Sequence, residues 1–171
     1  MKSTTMLSIL GRLAVVLSVT AAARLEAQVR PGVFGYQVVS STGVAGEFCL
    51  VVDCTPRAST CTAGETLTLR VNAPYTNLFA IGASFSATSC LPVPGIANAL
   101  VIDLPVVTLA VGVVANTSPV LACWGGTVQV PMQIPAGVPH GLSFATQALA
   151  DVPGLSGTAP AFSVAVITTI L

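Results

Sequence analysis

Apolar and polar residues alternate along much of the chain. In TLTLRV (66–71), Leu67, Leu69 and Val71 fall on one face. In TVQVPMQI (127–134), Val128, Val130, Met132 and Ile134 share one face, and Thr127, Gln129 and Gln133 the other. That period of two is the pattern of half-buried antiparallel strands. Further strands are predicted at 33–39, 47–52, 77–86, 99–104, 106–113, 141–149 and 161–170. Pro, Gly, Asn and Ser clusters separate them. About nine short strands at this spacing predict an all-β fold, an antiparallel β-sandwich of immunoglobulin-like or related type. Pro131 removes a ladder donor, so its strand is expected at an edge or with a bulge. After residue 27 no capped run shows apolar residues every three to four positions, so helix is expected to be nearly absent.

The N-terminus departs from this pattern. Lys2 and Arg12 precede an uncharged apolar run over 13–23, and small residues follow, which is the layout of a secretory signal peptide. The run is too short to span a bilayer as a helix. Cleavage is expected after Ala27, with Ala23 the alternative. The reading is therefore a signal over 1–27 and a single secreted domain over 28–171, a length suited to one core.

Composition narrows the partners. The mature part has three arginines, no lysine and five acidic residues, so it carries a formal charge of −2. Scattered arginines cannot neutralise a phosphate backbone, which excludes nucleic acid. The chain is 53% hydrophobic and 7% charged, yet its longest later apolar run, 100–115, is broken by Asp103 and Pro105. No integral span is expected after signal removal. An outer-membrane barrel is a remote alternative, disfavoured by sparse aromatics and by too few charges for a polar lumen.

The C-terminal half resembles a terminal β module found in many exported bacterial proteins with no assigned activity. The resemblance is carried by Ile134-Pro135, then Gly141, Leu142, Phe144, Gln147, Ala148 and Leu149, then Asp151, and finally Ser163 near the end. GETLTLRVNAP (64–74) resembles the opening strand of the same module. Val164 stands where the module has asparagine. The resemblance implies a secreted β module without catalytic residues to carry over.

Candidate chemistry is thin. His140 precedes Ser143 within Gly-Leu-Ser-Phe-Ala, one residue short of a hydrolase elbow, since Ala145 replaces the second glycine. The sequence after Ser143 continues as a strand rather than a helix, so a hydrolase is a remote alternative and no catalytic residue is assigned. Gln147 is read as a brace bonding main-chain groups of a neighbouring loop, with ligand contact as the alternative. Trp124, the only tryptophan, is read as packing over a disulfide, with sugar stacking as the alternative. Asp53, Asp103 and Asp151 lack calcium-ligand spacing and the cysteines lack zinc spacing, so neither a metal nor any other cofactor is expected.

Five cysteines in an exported chain should pair and leave one over. The expected pairs are Cys54 with Cys61, closing the polar segment TPRAST, and Cys90 with Cys123. Cys49 is then the unpaired thiol. A rival pairs Cys49 with Cys61 and frees Cys54.

Function is expected to be that of a secreted, non-catalytic structural or interaction module with an extracellular or cell-surface partner, self-association remaining open. The alternative is a module binding carbohydrate or a cell-surface ligand. N-terminal sequencing of the protein recovered from its host is expected to begin at Gln28, or at Arg24 by the alternative cleavage. Intact Met1 protein in the cytoplasm would refute export.

Overall fold

The computed structural model describes residues 34–49, 54–74, 76–117, 125–153 and 158–171. The expected signal peptide, Cys123 and Trp124 lie outside them. Among the described residues twelve strands run in the order β1 (Gly35–Ser40), β2 (Gly43–Glu47), β3 (Arg57–Cys61), β4 (Thr66–Asn72), β5 (Leu78–Ser84), β6 (Leu91–Pro92), β7 (Ala99–Leu100), β8 (Val107–Val113), β9 (Asn116–Thr117), β10 (Gly126–Gln133), β11 (Ser143–Pro153) and β12 (Thr158–Ile170). No helix among the described residues is long and apolar enough to cross a membrane.

The fold is a β-sandwich, as the alternation predicts. One sheet has the order β2-β1-β4-β10-β9 and the other β3-β12-β11-β5-β8, while β6 and β7 form a small hairpin. Strand pairing is antiparallel within both sheets except between β3 and β12, which run parallel. Tyr36, Val38, Leu67, Leu69 and Val71 from the first sheet meet Phe79, Ile81, Ala148, Ala150, Val152 and Val166 from the second, all buried in one cluster. Ala148 and Ala150 leave room on the second sheet for the larger side chains of the first, while Phe79 and Ile81 supply bulk of their own. Pro131 pairs with Thr68 beyond the short reach of β9, where β10 has no strand on its other side. A missing amide is tolerated at such an edge.

Two expected strands are corrected. Of the strand expected at 47–52, Glu47 ends β2 and Phe48 and Cys49 bend out of the ladder, while 50–52 lie outside the described residues. Of 99–104, only Ala99–Leu100 pairs, with Leu91–Pro92. The segment Arg57–Cys61, expected as a turn, is a strand beside β12. Its alternation is hidden because the inward positions hold Ser59 and Cys61 rather than large apolar residues.

The second sheet is covered on both faces. Its inner face joins the core, and a long excursion between β5 and β8, residues 85–106, lies on its outer face. Ala87, Val101 and Ile102 of the excursion bury Ala145 and Ala165 in a second cluster. Gly82 permits this contact, since a Cβ there would stand 2.6 Å from Val106 Cγ1.

A single polar contact crosses the core centre. The fully buried Tyr36 hydroxyl donates to Thr146 Oγ1 at 2.8 Å, tying β1 to β11. Burial pushes the Tyr36 phenol well above its ordinary range. Tyr36→Phe is expected to leave the Thr146 hydroxyl without this partner and to cost about 1 to 2 kcal/mol. Thermal or urea unfolding should show the loss, and Thr146→Val added to it should recover part.

Candidate functional site

Gln147, Ala148, Leu149 and Ser163 meet at one irregularity. Between Gln147↔Ala165 and Leu149↔Phe162 the β11–β12 register shifts, so Ser163 and Val164 together oppose Ala148. This is a β-bulge, which interrupts the ladder and leaves backbone groups to be satisfied otherwise. The Ala148 amide donates to Ser163 Oγ at 2.9 Å, and that hydroxyl donates to the Val164 carbonyl at 2.7 Å. The serine side chain therefore replaces what the bulge removes.

Gln147 carries the junction outward. Its Oε1 accepts from the amides of Val101, at 2.9 Å, and Ile102, at 3.4 Å. Its Nε2 donates to the carbonyls of Ser163, at 2.7 Å, and Ala99, at 3.0 Å. Both donor hydrogens and both acceptor positions are used, so no hydrogen-bonding capacity is left over for a ligand. The side chain pins the covering excursion to the sheet.

Other bonds fasten the same excursion. Asp103 accepts from the hydroxyls of Ser86, Thr88 and Ser89 and from the amides of Thr88 and Ser89. The Ser86 and Ser89 hydroxyls foremost, then Thr88, hold this exposed carboxyl well below the usual carboxylate range. Asn98 Nδ2 donates to the Phe162 carbonyl at 2.7 Å. Asp103 is thus a loop clamp.

Cysteine pairing differs from expectation. Cys54 is bonded to Cys90, with Cα atoms 5.5 Å apart, not to Cys61. The pair joins the approach to β3 with the excursion. Among the described residues Cys61 is the free thiol and is buried, and burial first, then the Glu65 charge, pushes it up. Cys49, expected free, is disulfide-bonded. The reason is extension: 57–61 is a strand, so Cys61 ends a ladder with its side chain in the core instead of returning towards Cys54.

His140 is exposed in a turn, and Ser143 opens β11, where its Oγ shares a 2.8 Å hydrogen bond with Thr169 Oγ1. The two residues are not brought together as nucleophile and base. Among the described residues no group of three or more His, Cys, Asp or Glu could hold a metal.

The feature that residue-by-residue inspection missed is an open apolar side. At the margin shared by β8 and β10, Phe85, Val107, Leu109, Met132, Leu142 and Phe144 line a groove of about 300 Å³. Phe85 is 80% exposed and Val107 63%. The signal was present in the sequence: 106–113 has no charge and no proline, an unusual composition for a strand at a sheet edge. The opposite margin is closed by polar groups. There Arg57 Nε donates to Glu47 Oε1 at 2.7 Å and Thr42 Oγ1 to the Thr60 carbonyl at 2.7 Å.

No family model matches the chain, and no curated protein matches it in sequence. Among solved structures it is similar to a chitin binding domain from Burkholderia pseudomallei, at 12% identity and a TM-score of 0.38, over 67% of this chain and 57% of that one.

Replacing Gln147 by Leu is expected to strand two amides and two carbonyls beneath the excursion, at a cost of about 3 kcal/mol or more. Hydrogen exchange should then show 97–103 losing protection ahead of the β4 and β12 core. Equal loss throughout would argue against a local brace.

Proposed function

We propose that the protein is an exported, non-catalytic structural module that assembles with copies of itself through β8. The observation that carries the reading is the unguarded edge of the second sheet. β8 pairs with β5 alone, so one side of its backbone presents open amides and carbonyls. Natural edge strands are normally blunted by lysine, inward charge or proline. β8 carries a register shift near Leu109 but none of those groups.

A second copy is the occupant the chemistry favours. Every residue of Val107–Val113 except Thr108 is apolar or glycine, so an antiparallel pair of β8 strands meets apolar against apolar whatever its register. No like charges oppose each other across such a pair. Leu78, Phe85, Leu104, Val107, Val111 and Val113 are all large exposed hydrophobics around this edge. Together they give the edge an apolar margin, and burying it against a second copy removes these side chains from water. An extracellular setting is supported by the Cys54–Cys90 bond, since disulfides persist in oxidising compartments. It also agrees with the resemblance to modules of exported proteins.

Light scattering after size exclusion, over a concentration series, tests the reading. The mature protein is expected to shift towards dimer or higher assemblies as concentration rises. Val111→Lys, at a position 70% exposed, should keep the fold and remain monomeric. A wild-type protein that stays monomeric throughout, or a lysine variant that assembles equally, would refute it.

A further inference from the structure

The apolar groove at the margin of β8 and β10 runs across the strands of the second sheet, not along them. One wall takes a side chain from each of four neighbouring strands: Ile170 of β12, Phe144 of β11, Ala83 of β5 and Val107 of β8. With strands roughly 5 Å apart, these four span about 15 Å. Met132, Ile134 and Val138, from the end of β10 and the segment after it, form the other wall. A volume of about 300 Å³ over that length leaves a section of about 20 Å², one hydrocarbon chain wide.

The bulge in β8 sets the side on which the groove lies. Ile81 pairs with Ala110 but Gly82 with Thr108, so Leu109 is the extra residue. Val107 and Leu109 line the groove, while Thr108 lies beneath the excursion on the other face of the sheet. The groove therefore opens on the inner face, whereas the unpaired backbone of β8 lies in the plane of the sheet. No residue of its lining is charged, and the only polar ones are Ser84 and Gln133. The Gln133 amide is already engaged: Oε1 accepts from Thr66 Oγ1 at 2.6 Å and Nε2 donates to the Gly64 carbonyl at 2.7 Å.

We propose that this groove is a binding site for one linear alkyl chain, the tail of a single-chain lipid whose head stays in water. Its volume is at the lower end of the range for small-molecule sites, about 300 to 1,000 Å³, and its apolar lining is the usual one. A peptide does not suit it. Lying across the strands, an extended peptide forms no ladder with them, and its amides and carbonyls would be left unpaired against apolar side chains. A hydrocarbon tail has no such groups, and a narrow, elongated space excludes broad rings. Phe85 and Val107, both largely exposed, stand at the mouth, and the core residues Ile134 and Ile170 lie at the bottom. A bilayer surface does not suit it either, because the lining offers no cation to meet phospholipid head groups. The inference does not depend on self-association through the β8 edge.

Titration calorimetry of the mature protein with 1-hexanol, 1-octanol and 1-decanol tests the assignment, with benzyl alcohol and phosphatidylcholine vesicles as comparisons. The alcohols are expected to bind saturably at one per protein, about fourfold tighter for each added methylene, the factor for taking one methylene out of water. Benzyl alcohol should bind more weakly than 1-octanol, and the protein should not sediment with the vesicles. Leu142→Gln and Phe85→Ser should each weaken 1-decanol binding several-fold. Phe85 is 80% exposed, so its replacement should leave unfolding unchanged and keeps the test valid if Leu142→Gln lowers stability. Val111→Lys, outside the groove lining, should bind as the wild type even where it abolishes assembly, which separates this site from the β8 edge. No saturable binding of 1-decanol, affinity that does not rise with chain length, benzyl alcohol equal to 1-octanol, sedimentation with vesicles, or binding unchanged in both groove variants would overturn the proposal.

Discussion

The four hydrogen bonds of Gln147 are the constraint on which the second sheet depends. Without them the outer face would present Ala145, Ala165 and Gly82 to water, a strip of small groups with too little bulk to form a core unaided. With them, the excursion of residues 85–106 is drawn onto that strip, and Val101 and Ile102 become interior. The neighbouring bulge belongs to the same arrangement. It displaces Ser163 to where one hydroxyl both receives the Ala148 amide and reaches the Val164 carbonyl. Gln147, Ala148 and Ser163 thus form one hydrogen-bonded junction at the bulge.

Two sheets of equal strand number end very differently at their margins. Where β2 and β3 approach, an ion pair and threonine hydroxyls close the sandwich. Where β8 and β10 approach, Val128, Val130 and Met132 are only partly buried, so the core continues into an uncovered groove.

Much of the sandwich was legible in the sequence, because Leu67, Leu69 and Val71, or Val128, Val130 and Met132, leave the period of two plain. Gln147 was also legible as a brace, since a long amide among small residues has few other uses. What escaped was set by distant partners. Arg57–Cys61 reads as a turn by composition and becomes a strand only because β12 supplies a neighbour for it. With that strand unseen, Cys61 was placed in a short loop and given to Cys54. The true partner, Cys90, sits 36 residues away on an excursion whose path no local pattern reveals. The run 106–113 was read as a strand, but its meaning as an exposed edge depended on strand order, which no local pattern gives.

The parallel pairing of β3 with β12 couples the beginning of the second sheet to its end. β12 is flanked by β3 on one side and β11 on the other, so an interior place in that sheet stays empty until residue 170 has been made. Neither β3 nor β11 can complete its ladder earlier, and contacts of such long sequence separation form slowly. A chain built this way cannot complete its second sheet while it is being synthesised. Late closure makes the place of β12 the last gap in the second sheet to be filled, so the two ends of that sheet become one body in a single final step.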